Sequence, residues 1–146
     1  MTRREEEVRE FYNRWSPSVF TLCRLLLGNG VEAERITAEV FLTHIREGQP
    51  LQQKYVLPVL LGTALSLVRT RISETSGPPQ SNAGLDEAIR GLPSPVREIF
   101  ILRHVLQLND KAIYVATGLP KDAIQKLSFQ ALLKVREQLM RDFFKE

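Results

Sequence analysis

The chain has 146 residues, 43% of them hydrophobic and 25% charged, with a formal net charge of +3. That apolar share supports real cores and excludes general disorder, and the length allows one ordinary domain or two small ones. Each half carries ten basic and eight acidic side chains, with Glu74 between them, so any nucleic-acid contact must come from local placement of charge rather than a strong overall field.

The opening, MTRREEEVRE, reads as a charged helix rather than a signal peptide. Thr2 is placed to cap it, and it is expected to run to about Arg14. Ser16-Pro17 is a cap-then-first-turn signal for a second helix ending at Gly28-Asn29-Gly30. In that helix Cys23 sits within the apolar run Val19-Phe20-Thr21-Leu22-Cys23 and is read as a small core residue. As the single cysteine it cannot form an internal disulfide, and a reducing cytoplasm fits. A third helix spans Val31 to Arg46, with Ala33, Ile36, Val40, Phe41 and Ile45 at helical spacing; Gly48 and Pro50 stop it. His44 is read as a surface residue of this helix. A fourth runs from about Gln53 to Ile72, with Pro58 tolerable near its start. Its apolar stretch, Tyr55 to Val68, falls short of the ~20 residues that span a membrane, so no membrane contact is expected.

Ser73 to Gly84 reads SETSGPPQSNAG. It lacks large apolar residues and is expected to be a flexible linker between a first module, residues 1–72, and a second, residues 85–146. The second module opens with a short helix, Leu85 to Arg90, stopped by Gly91. Ser94-Pro95 starts the next, which carries Val96, Ile99, Phe100, Leu102 and Val105. Asn109 caps a third, and Pro120 begins a last helix that extends as far as Phe144. The tract Leu108 to Val135 thus outlines a helix-turn-helix, whose second helix usually enters the DNA major groove. No segment shows sustained strand alternation. The expected class is all-α, as two small helical domains joined by a flexible linker.

Catalytic chemistry is not indicated. His44 and His104 lie in different modules with no neighbouring Cys or His, so metal-ligand spacing is missing. Gly28-Asn29-Gly30 is a turn between helices rather than a phosphate loop. Glu5, Glu6 and Glu7 read as a solvated helix face. No nucleophile–base pair emerges from local spacing. Neither enzymatic activity nor a cofactor is expected.

Two runs carry a family resemblance. The first module contains FYNRWSPSVFTLCRLLLGNGVEAERITAEVFLTHIRE: an amphipathic helical stretch, a Leu-Leu-Gly-Asn turn, and a helix with Ala33, Glu34, Glu39 and Phe41. The second contains Leu92, Pro93, Arg97, Ile99, Phe100, Leu102 and Arg103, followed by the helix-turn-helix. Together these resemble the sigma-70 family of transcription factors, of the extracytoplasmic-function type, over roughly Val8 to Leu139. The resemblance implies a region 2 domain, a linker and a region 4 domain. It implies core RNA polymerase and double-stranded promoter DNA as partners, with an anti-sigma factor as regulator. It places Glu34, Arg35 and Glu39 against polymerase. It places Arg69 and Arg71 at the −10 element, and Arg103, Lys111, Lys121, Gln125, Lys126, Phe129 and Gln130 at the −35 element.

The chain departs from the family pattern at named positions. Arg35 stands where the family usually has an acid, and Ala38 where it usually has Gln. Val56 to Thr63 keeps the apolar character of the −10 helix without its Trp and Asn. Leu127, Gln130, Leu132 and Gln125 replace basic residues of the reading helix. Because each phosphate-contacting cation adds affinity through counterion release, weaker or differently specific DNA binding is expected. Leu132 and Leu133 widen the apolar arc of the last helix and either pack on their own module or form a partner surface. The leading expectation is a sigma factor. The alternative is a degenerate sigma-like interaction protein that binds an anti-sigma factor or polymerase without initiating transcription. A plain helix-turn-helix repressor is a third reading, which leaves the first module unexplained.

Overall fold

Thr2 caps the first helix of the computed structural model, its hydroxyl accepting from the Glu5 amide at 3.1 Å. The structure describes residues 2–74 and 84–144. It forms two units, Met1–Gly77 and Pro78–Glu146, both all-helical among the described residues.

In the first unit, helix α1 runs unbroken over Arg3–Leu27, where the sequence predicted two helices meeting at Ser16-Pro17. A proline inside a helix forfeits one backbone hydrogen bond and crowds the carbonyl four residues back, at a cost of about 3 kcal/mol. The apolar stripe decides the outcome. Phe11, Val19, Leu22, Cys23, Leu25 and Leu26 are all buried, while Pro17 is exposed on the opposite side. One continuous stripe against α2 and α3 outweighs the local cost. The Thr21 hydroxyl donates to the Pro17 carbonyl at 2.8 Å.

Gly28 ends α1 in the left-handed region at φ 69, where its missing Cβ removes the strain. Asn29 then caps α2, Gly30–Arg46, accepting from Val31 N at 2.9 Å and Glu32 N at 3.3 Å. His44 is buried rather than on the surface. It follows Val40 and Phe41 on the core stripe, stacks on Phe11 at 5.2 Å, and its Nε2 lies 2.9 Å from the Pro50 carbonyl oxygen. Burial pushes the Cys23 thiol up to about 12, against an opposing hydrogen bond with Thr37. Helix α3 spans Val56–Glu74, so Ser73 and Glu74 of the predicted linker belong to it. Pro58 falls in its first turn, where the absent amide hydrogen would have had no intrahelical partner. Leu60, Leu61, Ala64, Leu65 and Val68 of α3 are buried. The rest of the predicted linker, up to residue 83, lies outside the described residues.

The second unit comprises α4 (Leu85–Arg90), α5 (Val96–Phe100), a π-helical turn (Ile101–Val105), α6 (Asp110–Thr117) and α7 (Lys121–Phe144). Ser94 does not cap α5 as the sequence suggested; its hydroxyl donates to Glu98 Oε2 at 2.8 Å. The π turn is marked by the bond from Leu106 N to the Ile101 carbonyl at 2.9 Å. Among the described residues no helix is long and apolar enough to cross a membrane.

Candidate functional site

The helix-turn-helix is built by local bonds at each end of α6. Asn109 accepts from Ala112 N at 2.8 Å, which fixes its start. Gly118, at φ 77, closes its end through a bond from its amide to the Tyr114 carbonyl at 2.7 Å. Thr117 stitches the turn, donating to the Ile113 carbonyl at 2.7 Å and accepting from Leu119 N at 3.2 Å. Helix α7 seats on the unit through Ile124, Ser128, Ala131 and Val135. Ser128 is buried beside them, and Leu139 further along the helix is exposed. His104 on the π turn braces α7, with Nε2 3.3 Å from the Ser128 carbonyl oxygen.

The residues assigned to DNA contact fall into two groups. Lys111, Lys121, Lys126, Phe129 and Gln130 are exposed on α6 and α7. Phe129 has 63% of its surface in water. Arg103 and Gln125 instead converge on Asp110. The Arg103 guanidinium pairs with one carboxylate oxygen of Asp110, and Gln125 Nε2 donates to the other at 3.2 Å. Arg103 also donates to the Leu108 carbonyl at 3.4 Å. Three segments of the motif are thereby tied at one carboxylate, which also favours the N-terminal end of α6.

The first unit shows the same division. Arg69, Glu34 and Arg35 are exposed, although Arg35 lies 3.1 Å from Glu32. Arg71 and Glu39, assigned to different partners, pair with each other at 3.1 Å, and Arg71 also reaches within 4.0 Å of Glu32. Both partners are partly exposed, so this pair is worth at most ~1 kcal/mol.

Sequence reasoning missed an apolar groove on the second unit. It has a volume of about 580 Å³ and is lined by Leu85, Phe100, Leu132, Val135, Leu139 and Phe143, among others. The signal was Leu132 on the widened arc; the contribution of Leu85 could not be read from spacing within one helix. Among the described residues, no group of three or more His, Cys, Asp or Glu side chains could hold a metal ion.

No protein-family model and no curated protein matches the chain. The fold does match a solved structure, that of the sigma factor RpoE in complex with the anti-sigma factor NepR from Bartonella quintana. The match has a TM-score of 0.73 at 15% sequence identity and covers 92% of this chain and 97% of that one. The chain therefore shares the all-helical fold of that sigma factor. At that identity the likeness shows the fold, and function must be argued from the residues.

Proposed function

We propose that the chain is a sigma factor that brings core RNA polymerase to a restricted set of promoters. The observation that carries this reading is a helix-turn-helix whose first helix is capped at both ends and whose second exposes lysines, set in a sigma-factor fold. In this reading α2 of the first unit meets polymerase through Glu34, Arg35 and Glu39, and Arg69 and Arg71 at the end of α3 meet the −10 element. The apolar groove offers the lining that docking of the polymerase flap requires. Lys111, Lys121 and Lys126 approach phosphates of the −35 element. Gln130 reads an adenine edge and Phe129 a thymine methyl. By analogy with RpoE, an anti-sigma factor holds the chain inactive, and the protein acts in the cytoplasm without catalysis of its own.

A second reading has its own support. Arg103, Gln125 and Arg71 spend donors within the protein, and α7 exposes Phe129, Leu132, Leu133, Met140 and Phe143 among its charged residues. Those features favour a sigma-like interaction protein that binds polymerase or an anti-sigma factor without opening promoters.

The sigma-factor reading requires polymerase binding. Fluorescence anisotropy of the labelled chain against purified core enzyme tests this. Saturable binding that is weakened by the double substitution Glu34→Lys, Glu39→Lys is the expected result. No binding would reject the sigma-factor reading and leave only an interaction protein that binds an anti-sigma factor.

A further inference from the structure

In the first unit a residue assigned to DNA is spent on a residue assigned to polymerase. Arg71, near the end of α3, donates from Nη2 to Oε1 of Glu39 on α2 at 3.1 Å. The contact spans 32 residues of chain, so it forms only when the two helices are packed. Each side chain keeps an open edge, with 33% of Arg71 and 44% of Glu39 exposed to water. A partner can therefore reach either member and take it from the other. The bond is charge-assisted and directional, so the edge of the guanidinium that serves Glu39 is closed to a phosphate. The carboxylate oxygen that serves Arg71 is likewise less open to a cation on polymerase.

Two neighbours set the sign and size of the exchange. Glu32 is a second acceptor for Arg71, with Oε2 4.0 Å from Nη1. That oxygen accepts no hydrogen bond among the described residues, and the other oxygen of Glu32 already accepts from Arg35 at 3.1 Å. Glu39, which is hydrogen-bonded, is therefore the stronger of the two holds on Arg71. Contact of polymerase with Arg35 subtracts from the effect, because it frees Glu32 for Arg71. Contact with Glu39 removes the stronger hold, so the net coupling is positive.

We propose that the Arg71–Glu39 pair couples the two partners of the first unit: whichever binds first opens the pair and leaves the freed charge for the other. This deepens the sigma-factor function proposed above, on which it rests, by adding regulation of the same contact residues. By linkage the gain is the same in either direction. An ion pair this exposed limits it to about two- to five-fold. A consequence follows for a residue that polymerase does not touch: removing the Arg71 guanidinium frees Glu39 and tightens polymerase binding.

The test is a double-mutant cycle on the full chain, read by fluorescence anisotropy against purified core polymerase without DNA. The wild type, Arg71→Gln, Glu39→Gln and the double variant are titrated, with circular dichroism and melting of each to show that the fold is kept. Arg71→Gln should bind about two- to five-fold tighter than the wild type. The same substitution made on Glu39→Gln should give no tightening, because there is no carboxylate left to free. Tightening of equal size in both backgrounds overturns the proposal, since it is then a general effect of losing a cation. A wild type that binds while Arg71→Gln binds no tighter overturns the proposal and leaves the sigma-factor reading standing. A wild type that does not bind rejects that reading, and the proposal with it.

Discussion

Gln125 of α7 and Arg103 of the π turn are held by the two oxygens of one carboxylate, that of Asp110. Both are residues that the resemblance assigns to DNA, and both serve here to lock the helix-turn-helix. Asp110→Asn removes the charge that holds them. Arg103 is then left partly buried without its counter-ion, so the second unit should lose about 1–3 kcal/mol in chemical denaturation. DNA affinity at fixed salt should rise, because an anion beside the reading helix is gone and Arg103 gains access to phosphate. A fall in affinity with the fold intact would show that the Asp110 lock is what makes the motif competent.

Arg71 and Glu39 make a parallel case in the first unit. Glu39→Gln should weaken polymerase binding while strengthening DNA binding, through release of the Arg71 guanidinium from its 3.1 Å partner. Stability should change by no more than ~1 kcal/mol, as for other exposed pairs. Titrations of the same variant against core polymerase and against DNA would read the two signs separately. Equal signs would contradict the account of this pair.

Pro17 sits inside α1 on its exposed side. Pro17→Ala restores an amide donor without disturbing the buried stripe, so it should stabilise the protein by about 1–3 kcal/mol. Urea unfolding monitored by circular dichroism measures it. A loss of stability would mean that the proline does more than interrupt the helix.

Cys23 gives a prediction in pH. Its folded-state value of about 12 lies above the ordinary 9.0. Above pH 9 the unfolded chain releases this proton while the folded chain keeps it, so stability falls as pH rises from about 9 to about 12. Below 9 both states hold the proton and the group contributes no slope. Native protein should react slowly with thiol reagents and quickly in denaturant. Fast native labelling would contradict the burial of Cys23 between α1 and α2.

Much of the fold was legible in the sequence because its signals are local. Thr2, Asn109 and Gly28 each act within a few residues, and each stands where the sequence placed it. The misreadings share a cause: tertiary contact overriding local preference. Pro17 looked like a helix start until the stripe from Phe11 to Leu26 bound α1 into one piece. His44 looked exposed because its polar type outweighed its place three and four residues after Phe41 and Val40, and because the Phe11 ring that stacks on it comes from another helix. The candidate site was legible only by residue type. Spacing put Lys121, Lys126 and Phe129 on one exposed helix, but it could not show Arg103 and Gln125 turned toward Asp110. That depends on a contact across fifteen residues and a π turn, neither of which leaves a mark in hydrophobic periodicity.

Promoter-specific initiation is measured most directly by run-off transcription with purified core polymerase and a promoter pool drawn from genomic DNA. Transcripts from a small set of promoters are the expected result. Lys126→Ala should reduce them and lower the salt dependence of DNA binding by about one unit of slope, as expected for one lost phosphate contact. Tight polymerase binding with no transcript from any promoter would contradict initiation and leave the sigma-like interaction protein as the reading that stands.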